Sequence, residues 1–479
     1  MGWGWAVASD VFSWLPLLNV FFAFAVIFLE RRNVSATWAW LLVLFVLPGL
    51  GFLLYLFIGQ NLHRQKVYRV KNITESKLLE GVLIQASHLD NYQGLQEYRS
   101  LVHLNLVSNY SFLTQDNAVT IYSSGQEKFE SLMQEIRDAK QHVHLLYYMI
   151  KRDALGMKLL NLLIQKAREG VEVKLIYDHV GSGGISRRTF RRLTEAGGEV
   201  RSFFASKIPY LNLRLNFRNH RKVAVIDGRV GFVGGLNIGD EYLGLDKRFG
   251  YWRDTHLKLN GSAVYQLQGQ FFLDWFAAAG EEVRLERRFF PTLHPAGQTA
   301  VQVVASGPNS ELEHIRNAYL KLIYEAKESI CLQTPYFIPD EDVLNALRIA
   351  ALSGVKVRLM LPLKADHRLV QWASHSYVGA LLKVGVECHL YDRGFLHAKT
   401  IVVDRKVAAV GTANIDNRSF RLNFEISAFL YDEAEARKLH ELFEADLQDC
   451  ITYTFLQYQN RSRLHRIRES LARLLAPLL

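Results

Sequence analysis

The chain has 479 residues, 49% of them hydrophobic and 22% charged, which is enough apolar material for one large core or two medium ones and excludes wholesale disorder. A formal charge of +10 suits a polyanionic partner, either nucleic acid or a surface of anionic lipid headgroups, and does not by itself choose between them. The cysteines, Cys331, Cys388 and Cys450, are odd in number, lack metal-ligand spacing and read as small packing hydrophobes.

Two uncharged apolar stretches come first, residues 11–29 and 38–58. Each is long enough as a helix to cross about 30 Å of hydrocarbon, so residues 1–60 are predicted to form a two-helix transmembrane hairpin. A cleaved signal peptide fits less well, because no Lys or Arg precedes the first stretch, Asp10 does, and a second span comes directly after it. The connection holds Glu30, Arg31 and Arg32, whereas the far flank carries Arg64, Lys66, Arg69 and Lys71, which predicts a cytoplasmic catalytic region. Residues 61–110 match neither the spans nor the repeat downstream of them and read as a connector.

From about residue 110 the chain repeats itself. "IRDAKQHVHLLYYMI" followed by "KAREGVEVKLIYD" is answered by "IYEAKESICLQTPYF" followed by "ALSGVKVRLMLPL". "NHRKVAVIDGRVGFVGGLNI" is answered by "LHAKTIVVDRKVAAVGTANI". Helical patterns alternate with runs rich in Val, Ile and Leu, so the prediction is an α/β fold of two tandem lobes with pseudo-twofold symmetry, residues 111–290 and 291–479.

Within the repeat, His220, Lys222 and Asp227 recur as His397, Lys399 and Asp404 with the same HxKxxxxD spacing. The adjoining "VAVI" and "TIVV" indicate strands, so each His and its Lys two positions on share a face. An imidazole can act as nucleophile or proton donor near neutral pH, and an adjacent ammonium supplies fixed charge for phosphate oxygens. A zinc site fits poorly, because the Lys opposes cation binding and no further ligands cluster nearby. Asp227-Gly228 is a hairpin-turn dipeptide, so for both Asp227 and Asp404 support of the turn comes before direct chemistry. After each turn come small residues and an amide, Gly234, Gly235 and Asn237, then Gly411, Thr412 and Asn414, which would let backbone approach a phosphate and Asn donate to it.

These paired HKD motifs, with their downstream glycines and Asn, resemble those of the phospholipase D superfamily. The resemblance implies two phospholipase D-like lobes meeting at one active site, with no cofactor and no metal. It implies that one His attacks phosphorus to form a phosphohistidine while the other protonates the leaving alcohol and then deprotonates the incoming nucleophile. It also implies a downstream acidic residue in each half that orients the imidazole, matched here by Asp254 in "YWRDTH" and Glu425 in "NFEIS".

A narrower resemblance, to bacterial cardiolipin synthases, runs nearly end to end. It rests on "WAWLLVLFVLPGLGFLLYLFIGQN", "GGLNIGDEYLG", "TPYFIPD", "GTANIDNRSFRLNFE" and the basic-apolar C-terminal stretch. It implies reversible transphosphatidylation of two phosphatidylglycerol molecules to cardiolipin and glycerol at the bacterial inner or plasma membrane. Phosphatidylglycerol and anionic membrane lipid, not nucleic acid, would then be the partners. The family tendency makes His220 the nucleophile, and the near symmetry of the repeat leaves the reverse open.

The alternatives are a phospholipase D hydrolase releasing phosphatidic acid, a membrane-bound phosphodiesterase or nuclease, and an inactive lipid-binding scaffold. Intact motifs in both halves argue against the scaffold, and a tethered active site that sees lipid at high local concentration argues against the nuclease. In "RSRLHRIRESLARLLAPLL", Leu464, Ile467, Leu471 and Leu474 share a helical face beside Arg463, Arg466, Arg468 and Arg473, which fits equally a membrane surface or packing on the core. Arg187, Arg188, Arg191 and Arg192, in a helical-looking stretch, read as a solvated helix face, with attraction of headgroups as the alternative.

Overall fold

The computed structural model describes residues 17–28, 34–55, 72–89, 95–204, 216–280 and 286–476. The chain forms two compact units, Met1–Val67 with Phe204–Phe217, and Tyr68–Phe203 with Arg218–Leu479.

In the first unit, α1 covers residues 17–28, α2 Val34–Val46 and α3 Leu50–Leu54. Phe22 stacks on Phe52 at 3.9 Å, Trp40 meets the edge of Tyr55 at 5.3 Å, and Asn19 Nδ2 donates to the Leu44 carbonyl over 2.9 Å. Within the second predicted span, residues 38–58, the helix stops at Val46 and restarts at Leu50. The cause is Pro48, which has no N–H to donate and disfavours helical backbone before it, followed by Gly49 at φ 75°. Among the described residues no helix is long and apolar enough to cross a membrane. The outer ends of both predicted spans, residues 11–16 and 56–58, lie outside the described residues.

The second unit is built on one mixed sheet. Its first half contributes β1 (Thr114–Tyr122), β2 (His142–Tyr147), β3 (Glu172–Asp178), β4 (Glu199–Phe203), β5 (Lys222–Ile226), β6 (Val230–Gly234) and β7 (His256–Asn260). Its second half contributes β8 (Thr299–Ser306), β9 (Ser329–Gln333), β10 (Lys356–Pro362), β11 (Glu387–Tyr391), β12 (Thr400–Val403), β13 (Val407–Gly411), β14 (Asn423–Tyr431) and β15 (Cys450–Tyr453). The spatial order is β15-β11-β10-β9-β12-β13-β14-β8-β1-β7-β6-β5-β2-β3-β4. Outward from the antiparallel β1–β8 pair, equivalent strands come in the same order on both sides, and β15 is the one addition. That is the repeat of the sequence expressed as topology.

Helices cover the sheet: α4 (Asn72–Ser87), α5 (Arg99–Asn109), α6 (Gly125–Asp138), α7 (Ala154–Arg168), α8 (Arg187–Glu195) and α9 (Ala263–Ala279), then α10 (His314–Glu325), α11 (Glu341–Leu352) and α12 (Arg368–Leu382). The short α13 (Asn417–Arg421) precedes α14 (Glu433–Leu447), α15 (Phe455–Gln459) and α16 (Arg463–Leu474). With helices over the sheet, strands such as β5 and β12 are buried along their whole length and read as continuous apolar runs. Two hydrophobic cores result, one holding Phe129, Leu145, Leu160 and Phe232, the other Tyr319, Leu332, Leu381 and Phe429. The stretch read as a connector supplies α5, whose Leu101 and Val102 are buried in the second core.

The halves are stapled by buried charge. Arg221 sits between His220 and Lys222, so its side chain leaves the strand on the opposite face. It donates to both carboxylate oxygens of Asp274 on α9 at 2.6 and 2.7 Å, and across the divide to the Glu425 and Ser306 carbonyls, each at 3.0 Å. Removing one partner leaves a buried charge uncompensated, so Asp274→Ala is predicted to cost about 3 kcal/mol or more in denaturant unfolding. The apolar pair Arg221→Met with Asp274→Leu is predicted to regain most of that loss. A single variant as stable as the parent would contradict the stapling role.

Candidate active site

The site is made where a short strand leading to each histidine lies beside a strand of the other half. Arg218–Asn219 pairs in parallel with Asn423–Phe424, and the residues one step on are His220 and Glu425. Gly394–Leu396 pairs in parallel with Tyr251–Arg253, and the residues one step on are His397 and Asp254. Main-chain hydrogen bonds continue both ladders: His220 N–H donates to the Phe424 carbonyl at 2.9 Å and His397 N–H to the Arg253 carbonyl at 2.7 Å. Each histidine therefore meets the carboxylate of the opposite half.

The contacts are direct. His220 Nδ1 lies 3.0 Å from both Glu425 carboxylate oxygens, and His397 Nδ1 lies 2.7 Å from Asp254 Oδ2. Both carboxylates are fully buried, and burial alone would raise their pKa values. The neighbouring Lys and His charges outweigh it and hold both groups below their ordinary values. An ionised carboxylate only accepts, so in each neutral imidazole the proton sits on Nδ1 and the Nε2 lone pair is free to react. The carboxylates are themselves fixed: Thr255 N–H donates to Asp254 at 2.7 Å, while Thr412 Oγ1 and Asn423 Nδ2, the latter at 3.2 Å, donate to Glu425.

Lys222 Nζ donates to the His220 carbonyl at 2.6 Å and Lys399 Nζ to the His397 carbonyl at 2.5 Å. Burial brings Lys222 down to about 7 and Lys399 to about 8, opposed by the carboxylates of both halves. His220 is lowered by burial and His397 is lowered to about 4, with the charge of its own half's lysine adding to burial in each case. The imidazoles stay within reach of substrate, with side chains 13% and 9% exposed. The result is two neutral imidazoles beside two lysines whose charge is weakened by burial, in one electrostatic neighbourhood suited to a phosphodiester anion.

The motif aspartates stand apart. Asp227 and Asp404 lie past the far ends of β5 and β12, about 16 Å along the strand from each lysine. Asp227 accepts the backbone N–H groups of Lys140, Gln141 and His142 at 2.7–2.8 Å, and Asp404 those of Lys327, Glu328 and Ser329 at 2.7–2.8 Å. Both begin hairpin turns with positive φ at the two central residues, Asp227-Gly228 and Asp404-Arg405. The strand thus carries both aspartates away from the histidines.

The other expected positions divide. Asn237 Oδ1 accepts from Met149 N–H at 3.2 Å and its amide donates to Tyr242 at 3.0 Å, so it braces the wall of the first half. Asn414 is buried, and its N–H donates to Ser419 Oγ at 3.1 Å. A Cβ on Gly235 would fall 2.0 Å from the Asp254 carboxylate, and one on Gly411 would fall 2.2 Å from Ser427 Oγ. These glycines make room for the carboxylate strands.

Sequence reasoning missed the aromatic walls, Tyr148 at 4.9 Å from the His220 ring and Trp252 at 5.2 Å from that of His397. It also missed Arg253, which donates to Asp446 of the other half at 2.8 and 2.9 Å. An arginine inside an apolar strand is the one signal that a buried partner must exist. Among the described residues no group of three or more His, Cys, Asp or Glu side chains could hold a metal ion.

A doubled α/β sheet with a His-Lys pair from each half defines a phospholipase D-like protein. The family described as "Cardiolipin synthase, PLD-like domain" matches residues 132–251 and 319–447, and "Phospholipase_D-nuclease N-terminal" matches residues 17–60. The chain belongs to the cardiolipin synthase family. It is 48% identical to the major cardiolipin synthase ClsA of Bacillus subtilis strain 168, over 99% of this chain and all of that one. It is 47% identical to the cardiolipin synthase of Listeria monocytogenes serotype 4a strain HCC23, over 97% and 98%. In fold it resembles the phosphatidylserine synthase of Haemophilus influenzae Rd KW20, with a TM-score of 0.60 at 14% identity over 79% of this chain and 100% of that one.

A lysine with a lowered pKa is cationic below that value and neutral above it. Affinity for a phosphodiester of constant charge, such as glycerophosphoglycerol, is therefore predicted to fall at least about tenfold as pH rises from about 6 to about 9. Competition assays would measure it, and a flat profile would contradict the lysine assignment. For the aspartates, Asp227→Ala is predicted to cost about 2–4 kcal/mol of stability while turnover per folded molecule stays within about threefold. A folded, stable and inactive Asp227→Ala protein would overturn that division of roles.

Proposed function

We propose that the chain is a cardiolipin synthase that transfers a phosphatidyl group from one phosphatidylglycerol to another. The observation that carries this reading is the pair of histidines, each tied through Nδ1 to a buried carboxylate, beside two buried lysines. Lys222 and Lys399 hold the non-bridging oxygens of the donor phosphate, and His220 Nε2 attacks phosphorus. The P–O bond to glycerol breaks and His397 gives its proton to the departing oxygen. Burial keeps His397 neutral, and the bound phosphate anion offsets the lysine charges and raises its proton affinity. The second phosphatidylglycerol then loses its hydroxyl proton to His397 and attacks phosphorus, which releases His220. One phosphodiester is exchanged for another, so the cycle closes without an energy source.

We place the enzyme in the bacterial inner or plasma membrane, held by residues 1–60, with the catalytic region in the cytoplasm. The outward apolar side chains of α1 and α2 support this, Phe21, Phe24, Phe28, Trp38 and Phe45 being 58–79% exposed. The break between α2 and α3 at Pro48-Gly49 is accommodated within a membrane-embedded hairpin, where neighbouring groups satisfy the freed backbone.

Purified enzyme with labelled phosphatidylglycerol is predicted to yield cardiolipin and glycerol in equal amounts. Phosphatidic acid instead of cardiolipin would make it a hydrolase, and inert lipid with cleaved DNA would sink both readings. His220→Ala and His397→Ala are each predicted to lower turnover at least about a thousandfold, and the double variant to be little worse, because the pair acts as a unit. One single variant retaining a tenth of the parent rate would exclude the two-histidine mechanism.

A further inference from the structure

We infer that α16 is a second membrane contact, a docking face on the catalytic unit for an anionic phospholipid bilayer. At about 100° per residue, Leu464, Ile467, Leu471 and Leu474 fall within an arc of about 80°. All are exposed, at 56%, 56%, 58% and 77%. The opposite side is seated on the protein: Ala472 and Glu469 are buried, and Glu469 forms an ion pair with Arg461 at 3.0 Å.

The seating is rigid. Tyr458 of α15 fills a notch on α12 that only a glycine leaves open, since a Cβ on Gly379 would come within 1.9 Å of its ring. The guanidiniums of Arg468 and Arg473 lie over Trp372 and Tyr377 of α12 at 5.4 and 4.9 Å. These contacts fix which face looks outward, and it is the apolar one.

Charge selects the occupant. Arg463, Arg466 and Arg473 border one side of the apolar arc and Arg468 the other, all exposed. The sole carboxylate on the helix, Glu469, is the buried one. Leucine and isoleucine tips flanked by arginines match acyl chains beneath a layer of phosphates. A protein partner would need a complementary acidic surface, whereas substrate and product of the proposed reaction are themselves anionic lipids. The inference extends the proposed membrane placement and rests on the proposed reaction only for the identity of that lipid.

The test uses the full chain carrying Ile467→Cys with a nitroxide label, reconstituted in phosphatidylcholine vesicles with and without phosphatidylglycerol. Unsubstituted chain controls for native cysteines. With phosphatidylglycerol present, label collisions with oxygen are expected to rise severalfold and those with a water-soluble nickel chelate to fall. Added Arg463→Gln and Arg466→Gln should weaken that response. In separate assays, Ile467→Glu with Leu471→Glu is expected to keep parent activity in detergent micelles and lose at least tenfold on vesicles.

A label equally open to nickel in both vesicles would overturn the inference. So would one shielded from both reagents whatever the lipid, which would mark a contact with protein. Because the label reports insertion directly, an inserted helix on a chain that makes no cardiolipin would refute the enzymatic reading and leave this one standing.

Discussion

Everything in the catalytic unit depends on two hydrogen bonds that cross between its halves, Glu425 to His220 and Asp254 to His397. Neither His220 nor His397 takes its carboxylate partner from its own half. The site exists only when the central β1–β8 pair and the two short parallel ladders hold the halves in register. The buried charges serve that register. Arg221 and Arg253, neighbours of His220 and Asp254, each direct part of their hydrogen bonding to the opposite half. The strand pairs thus set the protonated nitrogen of each imidazole from outside its own repeat.

The same burial explains the electrostatics. Removing water lowers the histidines and lysines and would raise the carboxylates, but close opposite charges keep the carboxylates ionised. In the proposed reaction, the charge of the phosphodiester favours the ammonium forms of the lysines and raises the proton affinity of His397. Binding and activation are then one electrostatic event.

Much of this was legible in the sequence. The repeat predicted two α/β halves, HxKxxxxD placed each His and Lys on one face, and the Asp-Gly turn pointed to support before chemistry. The crossing was hidden, because the partners are 205 and 143 residues apart and strands of two or three residues carry no periodicity. The glycines were legible as small residues, but not that the space they leave belongs to carboxylate strands. Pro48 was in plain view within an apolar run, and hydropathy alone passed over its effect on the backbone. For α16 the amphipathic pattern was clear, yet only the packing of Ala472 and Glu469 decides which face is turned outward.

The central claim is that each histidine is oriented from the opposite half, and the most direct measurement is nitrogen NMR of histidine-labelled protein, with the His220 and His397 signals assigned by substitution. Both rings are predicted to carry the proton on Nδ1. Glu425→Gln should disturb the tautomer of His220 and leave His397 unchanged, and Asp254→Asn should do the converse. If Asp254→Asn instead altered His220 while Glu425→Gln left it intact, each half would orient its own histidine and the crossed arrangement would be wrong.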